Sequence, residues 1–118
     1  MTVTNRGFEE PDETRKFNHG QAEIQKVGGF TFGRNTFEPG WRWSESVKPL
    51  VKTDSCQTHH AGYVLSGQLH VVTEDGGETE LGPGDAYEVE PGHDAWVVGN
   101  EPFVSVELVG AEKYAKGR

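Results

Sequence analysis

The segment GYVLSGQLHVV, residues 62–72, indicates the fold most strongly. Two runs rich in β-branched and other apolar residues flank Ser66 and Gly67, and this Ser-Gly pair is a short turn signal. We therefore predict a β-hairpin with its turn at these two residues. Within its second strand, His70 alternates with apolar neighbours, so its side chain should point away from the core.

The chain on either side of this segment consists of short apolar runs separated by turn signals. Glycine is abundant, at 16 of 118 residues, where the average usage of ~7% would give about eight. No window shows a sustained helical period. We predict an all-β sandwich or barrel, with further strands at residues 22–27, 30–37, 41–44, 86–89, 95–98 and 103–109.

The length of 118 residues suits one domain. We predict a barrel over residues 13–110, preceded by a flexible N-terminal arm at residues 1–12 and followed by a polar tail at residues 111–118. In the last strand, Val104, Val106 and Leu108 should share one face.

The composition excludes several classes of function. A net charge of −8 argues against binding to nucleic acids or to anionic membranes. No apolar run approaches the ~18 residues of a membrane span, and the N-terminus has no signal-peptide core. The single cysteine cannot form an intrachain disulfide and suits a reducing compartment. We expect a cytoplasmic protein.

Two blocks of sequence resemble the motifs of the cupin superfamily. TDSCQTHHAGYVLSG, residues 53–67, resembles the first motif, in which two His and a Glu precede a Tyr-Val-Leu-x-Gly segment. GDAYEVEPGHDAWVVGN, residues 84–100, resembles the second, in which Gly-Asp opens a strand and Pro-Gly-x-x-His ends it. The resemblance spans residues 39–108. It implies a single-domain cupin type-2 protein, a small jelly-roll β-barrel (a double-stranded β-helix) that forms a homodimer.

The resemblance also implies where a metal would bind, but the residue types differ from the family pattern. The four usual ligand positions correspond to Asp54, Cys56, His60 and Ala95. None carries the usual His or Glu, so the metal-binding motifs are degenerate. His93 lies two residues before the position of the usual histidine in the second motif.

The residues themselves still suggest a metal site. On a regular strand Asp54, Cys56 and His60 share one face, while His59 points away. Carboxylate, thiolate and imidazole groups are competent ligands for a divalent metal such as zinc, iron or nickel. His93, across the barrel mouth, would add a nitrogen. The alternative for Cys56 is a small buried apolar residue.

A pocket for a small molecule is expected beside this site. We predict that His60, Tyr63, His93 and Trp96 line it, because small-molecule pockets combine aromatic walls with a few polar groups. Three functions stay open: a module that binds a small molecule, a metal-dependent enzyme of the oxygenase or isomerase type, and a non-catalytic regulatory or oligomeric protein. The fold does not choose among them or decide whether the chain is an enzyme.

Overall fold

The computed structural model of the chain describes residues 3–51, 56 and 59–109. These residues form nine strands and two one-turn helices. In chain order the elements are β1 (Glu13–Phe17), β2 (Gly20–Val27), β3 (Phe30–Phe37), α1 (Trp43–Ser46), α2 (Lys48–Val51), β4 (His60–Ser66), β5 (Gln68–Thr73), β6 (Glu78–Leu81), β7 (Ala86–Val89), β8 (His93–Val98) and β9 (Phe103–Val109).

The strands form two antiparallel sheets, which confirms the predicted all-β jelly-roll barrel. The larger sheet has the order β1-β2-β3-β9-β4-β7, and the smaller has the order β6-β5-β8. The predicted strands at residues 30–37, 86–89 and 103–109 have the bounds of β3, β7 and β9. None of the helices among the described residues is both long enough and apolar enough to cross a membrane.

The predicted hairpin at residues 62–72 is wrong. Its two strands exist, but β4 belongs to the larger sheet and β5 to the smaller one. Gly67 is therefore a corner at which the chain passes between sheets. It has a φ of 78°, and a Cβ at this position would lie 2.2 Å from the carbonyl oxygen of Pro102. A glycine with positive φ fits both a corner between sheets and a hairpin turn. The local sequence around Gly67 therefore does not distinguish these two structures.

The strand predicted at residues 41–44 is also wrong. Trp41 and Trp43 are both buried, but α1 begins at Trp43 and its turn is closed by the Val47 N–H, which donates to the carbonyl of Trp43 at 3.0 Å. The carboxylate of Asp94 accepts a hydrogen bond from the N–H of Ser44. Two large side chains spaced two apart thus enter the core from a short helical turn rather than from a strand.

The core lies between the two sheets. The face of β9 that carries Val104, Val106 and Leu108 points away from this core. Phe103, Ser105 and Glu107 are buried, while Leu108 is exposed. The other members of the buried apolar cluster come from both sheets and from the segment around α1: Ala22, Phe37, Trp41, Trp43, Val47, Cys56, Val64, Leu69, Val71, Leu81, Val89 and Ala95.

The described part of the N-terminal arm, residues 3–12, contacts the outer face of β2. The side-chain amide of Gln25 donates to the carbonyl of Gly7, and its oxygen accepts from the N–H of Asp12, both at 2.9 Å. The arm and tail boundaries stay predictions, and residues 111–118 lie outside the described residues.

Gly67→Ala should destabilise the protein by about 3 kcal/mol or more. Left-handed backbone costs a non-glycine residue ~1–2 kcal/mol, and the clash with Pro102 adds to this. Gly76→Ala is the matched control, because Gly76 has a φ of 95° with no atom within 4 Å of a Cβ. It should lose only about 1 kcal/mol. Urea unfolding measures both, and equal losses would contradict the role of Gly67 as a crowded corner.

Candidate metal centre

Three potential metal ligands converge inside the barrel. Cys56, His60 and His93 are buried, and their ligand atoms lie within 4.8 Å of one another. The Sγ of Cys56 is 3.6 Å from Nε2 of His60, and the two imidazole rings have centroids 5.1 Å apart. Thiolate and imidazole are the donor types that zinc and its neighbours in the first transition row prefer.

Backbone pairing brings the two halves of this cluster together. The N–H of Cys56 donates to the carbonyl of His93 at 2.7 Å, and the N–H of Gly92 donates to the carbonyl of Cys56 at 2.7 Å. This bridge holds Cys56 beside the start of β8, where His93 lies. His60 begins β4 in the other sheet, so the cluster joins both sheets at one end of the barrel.

Each histidine is oriented by a hydrogen bond at Nδ1. Nδ1 of His60 lies 2.8 Å from Oε1 of the buried Glu107, and Nδ1 of His93 lies 2.8 Å from the carbonyl oxygen of Glu90. Both acceptors require a proton on Nδ1, which leaves Nε2 as the nitrogen that can coordinate. Carboxylates and carbonyls play this orienting role behind metal-bound histidines.

Glu107 of β9 is itself held by Tyr87 of β7, which lies across β4 in the same sheet. The hydroxyl of Tyr87 donates to its second carboxylate oxygen and lies 3.1 Å from the hydroxyl of Ser105. Gly62 stands opposite Glu107 in the β4–β9 register. A Cβ on Gly62 would lie 2.8 Å from Cγ of Glu107 and 3.0 Å from the Tyr87 hydroxyl, so this glycine makes room for the pair.

The cluster shifts the protonation of its own members. Burial alone would raise the pKa of Cys56, but hydrogen bonds and electrostatic attraction from His60 and His93 outweigh it and lower the pKa to about 6. Burial alone would lower the pKa of His60, but the carboxylate of Glu107 and the Cys56 sulfur raise it to about 10. Burial and the nearby Glu107 carboxylate raise the pKa of Tyr87. Without a metal, the site therefore favours a thiolate beside an imidazolium at neutral pH.

A small cavity adjoins the cluster. Its volume is about 30 Å³, and its walls include His60, His93 and Glu107 together with side chains that are mostly apolar. A water molecule needs roughly 10–15 Å³ of such space, so the cavity holds two or three small atoms. It is far smaller than the ~300–1,000 Å³ of a site for a drug-sized ligand.

The structure brings Cys56, His60 and His93 together, as the residue pattern suggested, but places other predicted residues elsewhere. His59 faces away from the cluster, and its Nε2 lies 2.7 Å from the carboxylate of the exposed Glu88. Asp54 lies outside the described residues.

Tyr63 and Trp96, predicted to line the pocket, do not line this cavity. Tyr63 is 49% exposed. Trp96 lies on the outer face of the smaller sheet, where its ring is 4.7 Å from the ring of His70 and 4.5 Å from the guanidinium of Arg42. The reason is strand alternation: each residue lies three positions after an inward-facing histidine on the same strand, so each points outward.

The same alternation explains how His93 reaches the site. His93 and Ala95 are two residues apart on β8, and both line the cavity. A histidine moved by two positions keeps the inward face and shifts only along the strand by roughly 6.5 Å. The two-residue displacement from the family position therefore still leaves an imidazole in the cavity.

The sequence interpretation missed Glu107 and Tyr87. Both lie on strands that were predicted correctly. In the last strand, however, the prediction singled out the opposite face, which carries Val104 and Val106. The available signal was Phe103, a large apolar residue that shares its face with Ser105 and Glu107. If Phe103 is buried, period-two alternation also turns Glu107 inward.

Comparison with known proteins points to one family. Residues 53–109 match the family model described as the cupin domain, so just under half of this chain is similar to that family. No curated protein matches the sequence.

Solved structures share the fold at low sequence identity. A protein of unknown function from Rhizobium leguminosarum bv. viciae 3841 superposes with a TM-score of 0.65 at 19% identity, covering 92% of this chain and 97% of that one. KdgF from Halomonas sp. gives 0.57 at 19% identity, covering 83% and 87%. Oxalate decarboxylase from Lactobacillus farciminis gives 0.58 at 15% identity, covering 86% of this chain but 32% of that one.

Glu107→Gln should destabilise the metal-free protein at pH 7 by about 3 kcal/mol, because it removes the charged partner of a buried imidazole. Glu88→Gln is the matched control. It changes a histidine–carboxylate pair of nearly the same length, 2.7 Å against 2.8 Å, at an exposed position. We expect a cost of less than about 1 kcal/mol there. Chemical denaturation of both variants checks this, and similar costs would mean that the His60–Glu107 contact is unimportant.

Proposed function

We propose that this chain is a cupin that binds one divalent metal ion through Cys56, His60 and His93 and holds a small molecule beside it. The observation that carries the proposal is the convergence of these three donors, with Nδ1 of each histidine already engaged. The donor set fits a borderline metal, and zinc, iron and nickel are the candidates. A single free thiol suits a reducing compartment, so a cytoplasmic location is part of the proposal.

The spacing of the donors supports tetrahedral coordination. Zn–S and Zn–N bonds of about 2.3 and 2.0–2.1 Å at a tetrahedral angle separate sulfur from nitrogen by about 3.6 Å. The separation between Cys56 Sγ and His60 Nε2 is 3.6 Å. This edge of the coordination polyhedron is therefore formed before any metal binds, so binding would require little rearrangement of these two groups.

Three ligands converge among the described residues, and this number leaves a coordination position for a small molecule. Three ligands with the fourth position open are typical of catalytic zinc sites, whereas structural sites use four protein ligands. A metal bound here would supply Lewis acidity to whatever occupies that position. A metal-dependent enzyme of the oxygenase or isomerase type is therefore the second candidate function. The cavity of about 30 Å³ limits the reacting group of such a substrate to a few atoms.

The metal proposal is tested by elemental analysis and thermal unfolding of protein purified without a metal-binding tag. We expect close to one metal per chain, or a rise in Tm of about 10 °C when zinc is added to the metal-free protein at 100 times its Kd. The double variant Cys56→Ser/His60→Ala should lose both effects because it removes two of three ligands.

His59→Ala is the matched control for that variant. His59 adjoins His60 in sequence but faces Glu88 on the outside, so its removal should leave metal content and the Tm increase unchanged. The proposal fails if wild-type protein contains no metal and gains no stability with zinc, nickel or iron(II). It also fails if the double variant binds metal as the wild type does.

We also propose that the chain forms a homodimer through the outer face of β4 and β9. Tyr63, Leu65 and Leu108 on this face are 49%, 52% and 48% exposed. The two strands are paired, with Tyr63 opposite Val106, so these side chains lie near one another. Contiguous apolar surface of this kind is typical of interfaces between proteins. A regulatory or purely structural role would depend on this face rather than on the cavity.

The dimer is tested by the double variant Leu65→Glu/Leu108→Glu. Light scattering should give about 26 kDa for the wild type, twice the chain mass of 13.0 kDa, and about 13 kDa for the variant, because charge on both strands opposes the contact. Phe30→Glu is the control, since Phe30 is 67% exposed but lies at the start of β3. A wild-type monomer, or a variant that remains dimeric, would exclude this interface.

A further inference from the structure

The wall of the barrel has a gap between two edge strands. β7 is an edge strand of the larger sheet, and β6 is an edge strand of the smaller one. Among the described residues β6 pairs with β5 alone and β7 pairs with β4 alone, so no ladder of backbone hydrogen bonds joins the two edges. This part of the wall can therefore widen without breaking the pairing within either sheet.

A surface groove follows this gap, and we call it the β6–β7 groove. It has a volume of about 340 Å³ and is lined by Val71, Thr73, Gly77, Glu78, Thr79, Glu88, Val89 and Glu90. Two of these residues, Val71 and Val89, also line the internal cavity that His60 and His93 line. They are 4% and 9% exposed. The groove and the cavity thus share a wall at these two valines.

The two valines are placed to act as a gate. Val71 belongs to β5 and Val89 to β7, so they lie in different sheets and move apart when the gap widens. No other residue in the part of the chain that the structure describes lines both spaces. Local opening takes less free energy than global unfolding where few contacts have to be broken, so a small solute can pass while the barrel stays folded.

The β6–β7 groove is negatively charged. Three exposed carboxylates line it, those of Glu78, Glu88 and Glu90, and its described lining includes no lysine or arginine. Two of the carboxylates are hydrogen-bonded to histidines outside the lining, His70 and His59. Even with both histidines protonated, three carboxylates against two imidazolium groups leave a net negative charge. Such a groove concentrates cations and repels anions.

We propose that the β6–β7 groove is the route by which small cations reach the Cys56–His60–His93 cluster, with the two valines as its gate and the three glutamates favouring positive charge. The inference rests on the proposed function only for the identity of the cation, a divalent metal. The steric gate and the charge preference follow from the groove itself and are measured without a metal.

Cys56 reports on this route. It is the only cysteine of the chain and is 2% exposed, and its Sγ lies 3.6 Å from Nε2 of His60, a residue of the cavity wall. Iodoacetamide and iodoacetate alkylate a thiolate with loss of iodide. The two reagents are of nearly equal size and differ by one negative charge. Their rates of reaction with Cys56 in the folded, metal-free protein, followed by intact mass, measure the gate and the charge preference separately.

The gate is tested with iodoacetamide. Val71→Ala and Val89→Ala should each raise the rate of alkylation about tenfold, because each shortens the shared wall and lowers the barrier to entry. Val71→Ile extends the same side chain and should lower the rate. Leu69→Ala is the matched control: Leu69 is buried and lines the cavity but not the groove. It loses at least as much core packing as a valine variant, yet should react at the wild-type rate.

Two results would overturn the gate. If Leu69→Ala accelerates alkylation as much as the valine variants do, the valines act through stability and not as a wall. If the valine variants react at the wild-type rate, the reagent reaches Cys56 by another path.

The charge preference is tested by the ratio of the iodoacetate rate to the iodoacetamide rate. The triple variant Glu78→Gln/Glu88→Gln/Glu90→Gln should raise this ratio about fivefold at low ionic strength, because it removes the repulsion of the anionic reagent. In 1 M salt the difference from the wild type should largely disappear, since the Debye length falls to about 3 Å. These substitutions lie at exposed positions, so they still test the route if a valine variant does not fold.

The matched control removes the same net charge outside the groove, at three exposed glutamates: Glu38→Gln/Glu45→Gln/Glu101→Gln. It should leave the ratio near the wild-type value. An equal change in this control, or no change in the groove variant, would show that the groove does not select the entering charge.

Zinc binding to the same variants distinguishes this inference from the metal proposal. If zinc binds but neither the valine nor the groove glutamate substitutions alter Cys56 alkylation, the route is overturned and the metal proposal stands. If they alter alkylation as expected while zinc does not bind, the route stands and the metal proposal fails.

Discussion

The hydrogen bond between His60 and Glu107, 2.8 Å long and buried inside the barrel, constrains the rest of the candidate centre. Removing two ionisable groups from water is costly unless each is paired and further hydrogen-bonded. Here the second carboxylate oxygen is satisfied by Tyr87, and Gly62 leaves the space that both side chains need. The same bond holds the proton on Nδ1 of the imidazole and turns Nε2 toward Cys56. Donor geometry therefore follows from a pairing between β4 and β9.

Local sequence patterns predicted most of the strands but not their partners. The residues around Gly67 have the composition of a hairpin, and both strands form where alternation predicts them. Which sheet each strand joins depends on its partner: β9 begins 43 residues after β4, and β8 begins 25 residues after β5. The crowding of Gly67 against Pro102 is such a distant contact. Strands β1 and β6 were missed for a different reason: each has one large apolar residue, Phe17 and Leu81 respectively, so no alternation marks it.

The candidate ligands were predictable because their chemistry is rare in a sequence with one cysteine and five histidines. Their surroundings were not. Tyr63 and Trp96 were assigned to the pocket for their aromatic character, yet each lies an odd number of positions from the histidine that faces inward. Alternation alone would have turned both outward. To predict Glu107 as part of the site, one would have to place a charged residue on the core face of a strand. Sequence rules disfavour that choice unless a partner such as His60 is already known.

The charges of the cluster bear on the proposed metal binding. In the metal-free state the thiolate of Cys56 and the carboxylate of Glu107 share one positive partner, the imidazolium of His60, which leaves a net negative charge in the core. A divalent cation that replaces the Nε2 proton carries one more positive charge than that proton and neutralises the group. Metal binding would then relieve a desolvation cost as well as form bonds. A buried thiolate, an imidazole held by a carboxylate and a second imidazole would together be neutralised by a divalent cation, which is the electrostatic argument for the proposed metal.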